Sequence, residues 1–115
     1  MTGQGHLAYR NTAVKGLAAG GDVVAGNGVM HTLELLNLDA AVAWLQVFDA
    51  VDHTHVTLGT TTPNLSFELA TSAQRHLDDI GYGFNLGLVF AVTTTDGGSS
   101  SPSTGLDITA TYGPS

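Results

Sequence analysis

The chain has 115 residues, enough for one domain that buries about two-thirds of its unfolded surface. Ten acids face three bases (Arg10, Lys15 and Arg75), a net charge of −7 that leaves little to grip a phosphate backbone or an anionic membrane. With no cysteine there can be no disulfide, thiolate nucleophile or cysteine-ligated metal, and no apolar run approaches the ~20 residues of a membrane-spanning helix.

Residues 1–10 lack periodicity and include Gly3 and Gly5. They read as an N-terminal arm that gains order from a partner, with Tyr9 and Arg10 as anchors; residues 11–115 read as the folded domain. No basic segment followed by an apolar core opens the chain, so no signal peptide is expected. Residues 12–15 and 22–25 are short β-compatible runs separated by glycines. Gly28 to Leu38 is longer, with Leu33 and Leu35 on one face and Leu36 and Leu38 on the other, as if both were partly covered. Ala41 to Asp49 follows, with Ala43, Leu45 and Val47 opposite Trp44 and Phe48. Both faces of this strand are apolar, so either the domain buries both or a neighbouring subunit covers Trp44 and Phe48.

Further on, Leu65, Phe67 and Leu69 alternate with Ser66 and Glu68. One helical turn is conceivable near Ser72 to Arg75, and Asp78 and Asp79 read as a solvated turn leading into Gly81. Residues 84–94 put Leu86, Leu88, Phe90 and Val92 on one face, and residues 106–112 do the same with Leu106, Ile108, Ala110 and Tyr112. Between them, TTTDGGSSSPSTG reads as the exposed tip of a hairpin. About eight short strands with turn signals between them predict an all-β fold, an antiparallel β-sandwich of jelly-roll type.

Chemistry is sparse. His53 and His55 would point the same way from a strand, and Asp49 or Asp52 could add oxygen to a metal site. A cupin would also need a Glu a few residues later, and none occurs before Glu68. Serines and threonines are numerous, but no G-x-S-x-G elbow is present. The glycines of GLAAGGDVVAGNG lack the closing Gly-Lys-Ser/Thr of a phosphate loop. No catalytic residue, cofactor site or metal site is therefore assigned, and the chain reads as a non-enzyme.

Three segments have a familiar pattern. Phe48 to Ala50 reads F-D-A, Val56 to Pro63 reads V-x-L-G-T-T-x-P, and Gly81 to Thr95 reads G-x-x-F-x-x-G-L-x-x-A-V-T-T-T. Over about the last seventy residues the chain resembles small β-sandwich virion proteins of tailed bacteriophages, of the capsid cement or decoration type. The resemblance implies a structural protein made in the host cytoplasm and carried on the capsid surface. Its implied partners are its own copies, as a homotrimer, and the major capsid protein. Tyr9, Arg10, Trp44 and Phe48 are the expected subunit contacts. Two other readings stay open. A phage fibre or host- or sugar-binding module would need an exposed aromatic platform, for which Trp44, Tyr82 and Tyr112 are available. A small cupin-like metalloprotein would use His53 and His55.

Overall fold

The computed structural model describes residues 7–17 and 24–114. Among the described residues ten strands follow one another: β1 (Leu7–Val14), β2 (Gly16–Leu17), β3 (Val24–Ala25), β4 (Gly28–Asn37), β5 (Ala43–Asp49), β6 (Leu65–Leu69), β7 (Gln74–Leu77), β8 (Tyr82–Phe84), β9 (Gly87–Thr93) and β10 (Leu106–Gly113). All pairings are antiparallel. One sheet runs β1-β10-β4-β7, with β8 also on β4; the other runs β2-β9-β5-β6, with β3 also on β9. Since β2 and β3 share one edge and β7 and β8 another, ten segments occupy eight strand positions. The chain changes sheet repeatedly, and the order within each sheet is that of a jelly roll.

Alternation builds the core. On the first sheet Leu33, Leu35, Ile108 and Ala110 pair across β4 and β10. On the second, Leu45 sits between Val92 and Phe67, and Val47 between Phe90 and Leu65. These residues face one another between the sheets in a single cluster with Met30, Phe84, Leu88 and Leu106; Leu65 and Phe67 are partly buried against it, and the others are 2% exposed or less. Leu36 and Leu38 are not covered as the apolar run predicts: they are 36% and 39% exposed on the far side of β4.

The outer face of the second sheet is also apolar, and the chain covers it itself. Phe48, Ala50, Val56, Val89 and Ala91 form a second buried cluster, with Leu17 and Leu58 packed on it. Sheet strand β9 is consequently buried at every position. Part of the cover is residues 50–63, which include a 3-10 turn at His53–His55.

The other part is the segment after β9. The hairpin expected between Gly87 and Gly113 does not form, because β9 and β10 belong to different sheets. Its supposed tip is a crossover laid back on the molecule. Thr94 N–H donates to Ser100 O at 2.9 Å, and Thr104 N–H to the Asp39 carboxylate at 2.9 Å. Gln46 Nε2 donates to Thr93 Oγ1 at 2.7 Å and to Gly98 O at 3.2 Å, while Pro102 is buried. Gly105, at φ +100°, passes so close to the Val14 carbonyl that a Cβ would collide with it.

Ser72 to Arg75 is not helical: Ser72 takes φ 57° in a turn, and β7 begins at Gln74. Asp78 and Asp79 are exposed and outside any strand, as a solvated turn should be, and this turn interrupts an edge strand. Ile80 N–H stays tied to His31 O at 2.9 Å, and β8 resumes pairing with β4 at Tyr82. No division falls at residue 10 either, because residues 7–10 belong to the continuous strand β1 paired with β10. The rest of the expected arm, residues 1–6, lies outside the described residues.

Candidate functional site

The four expected contact residues separate. Tyr9 faces inward, its ring centroid 5.3 Å from that of Phe90. Phe48 is only 1% exposed within the single chain, so it has no surface to offer another subunit. Its aromatic character serves the second core cluster instead. Trp44 is half-buried on the outer face of the second sheet, between Thr93 and Glu68 on the neighbouring strands. Arg10 is exposed on β1, opposite Thr109.

The histidine pair does not project from a strand. His53 and His55 lie on the 3-10 turn, where residues two apart diverge. The Asp52 carboxylate caps that turn. It accepts the Thr54 N–H at 2.9 Å and lies 2.9 Å from His55 Nδ1. The Thr54 hydroxyl and then the His55 side chain hold the Asp52 carboxyl down to about 2. Among the described residues, no three His, Asp or Glu side chains converge as a metal site. Asp49, the other suggested oxygen donor, is turned elsewhere.

Asp49 joins two segments of the familiar pattern. Its Oδ2 accepts Asn85 N–H at 2.9 Å, and its Oδ1 accepts Leu86 N–H at 2.8 Å and Gly87 N–H at 3.2 Å. Burial alone would raise its pKa, but the three backbone donors outweigh that and lower it. Burial, and then the Asp49 charge, push the nearby Tyr82 phenol up. The segment 81–95 lacks any signal that a carboxylate 36 residues earlier organises its turn. The F-D-A spelling was the only trace.

The other residues of the pattern also fill structural places. Phe48, Ala50 and Val56 build the second cluster, and Leu58 packs on it. Gly59 and Gly81 turn the chain at φ 84° and 61°. Phe84, Leu88 and Val92 enter the main core.

At the opposite end, Asn37 does comparable work. It is 2% exposed, and its amide nitrogen reaches Ala41 O, Leu69 O and Ala70 O at 2.9, 3.2 and 2.9 Å. Its oxygen accepts Asp39 N–H at 2.9 Å. The Thr104 N–H is the main cause that lowers the Asp39 carboxyl, against a desolvation penalty; the N–H groups of Ala40, Gly105 and Ser103 assist.

Open clefts remain on the surface. One, of about 400 Å³, is lined by Gly59 to Pro63, Ser66, Asp96 and Gly97, where the two covering segments meet. Another, of about 500 Å³, is lined by His31, Thr32, Asp78, Asp79 and Gly81, at the interruption between β7 and β8. Neither lining includes a Phe, Tyr or Trp ring. The three aromatic residues available for a sugar platform do not share a surface: Tyr82 and Tyr112 pack against the main core, and Trp44 lies on the outer face of the other sheet.

Comparison with protein-family models, curated proteins and solved structures finds no match to this chain. The fold therefore defines the class: an antiparallel jelly-roll sandwich with a second, self-covered apolar layer.

Proposed function

We propose that the protein is a structural virion component, a decoration or cement protein that binds the outer surface of a phage head as an oligomer and stabilises it. One observation carries this reading. The residues of the phage-like pattern form a single architectural unit, in which Asp49 ties the turn at residues 85–87 to β5 while Phe48, Ala50 and Val56 seal the outer face of the second sheet. A family pattern made of turn and packing residues suits a protein selected for its shape and surfaces. The jelly roll is used by capsid and lectin domains and by cupins, so the fold by itself does not choose among them. The divergent histidines and the scattered aromatics give the cupin and sugar-binding readings no specific support.

The test is location. Purified particles of the phage that encodes this chain, labelled with gold-conjugated antibody, should carry label over the head. Label confined to the tail, or protein found only in the soluble lysate, would overturn the reading.

A further inference from the structure

Among the described residues, the two edges of the first sheet differ in continuity and in charge. β1 is an eight-residue edge strand whose register shifts once, between Asn11 and Val14, while the opposite edge is β7 and β8, interrupted at residues 78–81. Natural sheets protect such edges, since unpaired backbone groups recruit further strands. Among the described residues, β1 has little protection beyond Arg10 and an irregularity after Asn11, where Ala13 takes φ 52°. The second sheet offers no comparable edge among the described residues. Its β2 and β3 are two-residue pieces, and β6 carries the Arg75 guanidinium on its Glu68 carbonyl at 3.1 Å.

Charge is divided in the same way. Two of the three bases in the chain, Arg10 and Lys15, lie on or just after β1, and both are exposed. The opposite side presents Asp78, Asp79 and Glu68, also exposed, with Arg75 and His76 as its basic groups. Asp78 accepts from His76 Nε2 at 2.7 Å, and His76 Nδ1 lies 3.2 Å from Glu34. In a molecule of net charge −7, most surfaces of two copies repel; the β1 edge, with Arg10 and Lys15 against the Asp107 carboxylate that accepts Ala13 N–H at 2.9 Å, carries more base than acid.

We propose that the β1 edge of one copy docks along the β7–β8 edge of a second copy, with Arg10 set toward Asp78 and Asp79. This deepens the reading of an oligomeric subunit and rests on it. The contact is heterologous, because it joins two different surfaces, and such contacts either close into a ring or run on as a filament. A decoration protein that remains soluble before it meets the capsid requires the ring. The half-buried Trp44 lies on the other sheet and is no part of this contact.

The absence of cysteine makes the test direct. Arg10→Cys, Asp78→Cys and the double variant are each treated with a short bis-maleimide, and the products are resolved on denaturing gels. Both positions are exposed, so the fold should survive, as checked by circular dichroism. The double variant should yield one covalent closed species larger than a dimer, and each single variant should remain predominantly monomeric. Efficient dimers from Arg10→Cys alone would show β1 pairing with β1 and overturn the proposal. A double variant that stays uncrosslinked would overturn it as well. As a second measurement, sedimentation should show that Arg10→Glu and Asp78→Lys each weaken association at least tenfold, and that combining them restores it. Loss in both single variants without rescue would refute direct pairing. Location on particles is measured separately, so failure here is distinguishable from failure of the functional reading.

Discussion

Asp49 and Asn37 each replace what a longer loop would otherwise have to provide. Asp49 accepts three consecutive backbone N–H groups, and hydrogen bonds to a charged acceptor are among the stronger kind. Asp49→Asn keeps the shape but removes the charge, and should cost about 2 kcal/mol at pH 7 by urea denaturation. Asn37→Ala removes the amide that reaches three carbonyls, of which Ala70 O keeps the Ala73 N–H, and should cost a similar amount, about 2 kcal/mol. Phe48→Ala should be worse, about 3–5 kcal/mol, since it opens a cavity in the second cluster. Sedimentation of the folded Phe48→Ala variant should match the wild type. Reduced association without a stability loss would mean that Phe48 contacts a neighbour after all.

Strand periodicity made most elements readable, and it also set the limits of that reading. Alternation identifies a strand with one buried face, so β5, β6, β9 and β10 were recognisable. It does not say which sheet a strand joins. β9 and β10 therefore looked like the arms of a hairpin, although the segment between them crosses from one sheet to the other. β7 and β8 went unread because four and three residues are too few to establish a period, and the intervening Asp78 and Asp79 looked like solvent. The apolar faces of β5 leave open whether the domain itself or a neighbouring subunit covers Phe48. What covers it, residues 50–63, has no strand period and could not be placed. The crossover makes a prediction of its own. The amides of Thr94 and Thr104 should be protected from hydrogen exchange, although they lie in a Ser- and Gly-rich stretch. Asp39→Ala should release Thr104 and leave Thr94 protected. Rapid exchange of both amides in the wild type would mean that the segment is a free tip.

For the molecule as a whole, acid should be the effective denaturant. Asp39, Asp49 and Asp52 all have carboxyl pKa values lowered in the folded chain, Asp52 to about 2. A lowered folded pKa gives stability that is present above the unfolded value of about 3.9 and is lost as pH falls through the folded one. Thermal melts should therefore be flat from pH 7 to about 5 and fall steeply from about pH 4 toward 2. Asp49→Asn should start lower at pH 7 and fall less. An acid limb as steep in that variant as in the wild type would remove Asp49 from the account.

The order in which the strands are made has a further consequence. β10 lies between β1 and β4, so the last of these ten strands to be made is an interior member of its sheet. Leu7 pairs with Tyr112, and Asn37 pairs with Leu106. Until residues 106–113 have been made, β1 lacks its partner β10, and the inner face of β4 lacks Ile108 and Ala110 beside it. The nascent chain thus carries an unfinished sheet until β10 emerges. Pairings between distant parts of the chain fold slowly, in milliseconds to seconds, and leave strand edges exposed meanwhile. A stop codon just before Leu106 would remove the keystone of the first sheet, and the product should aggregate as it is made.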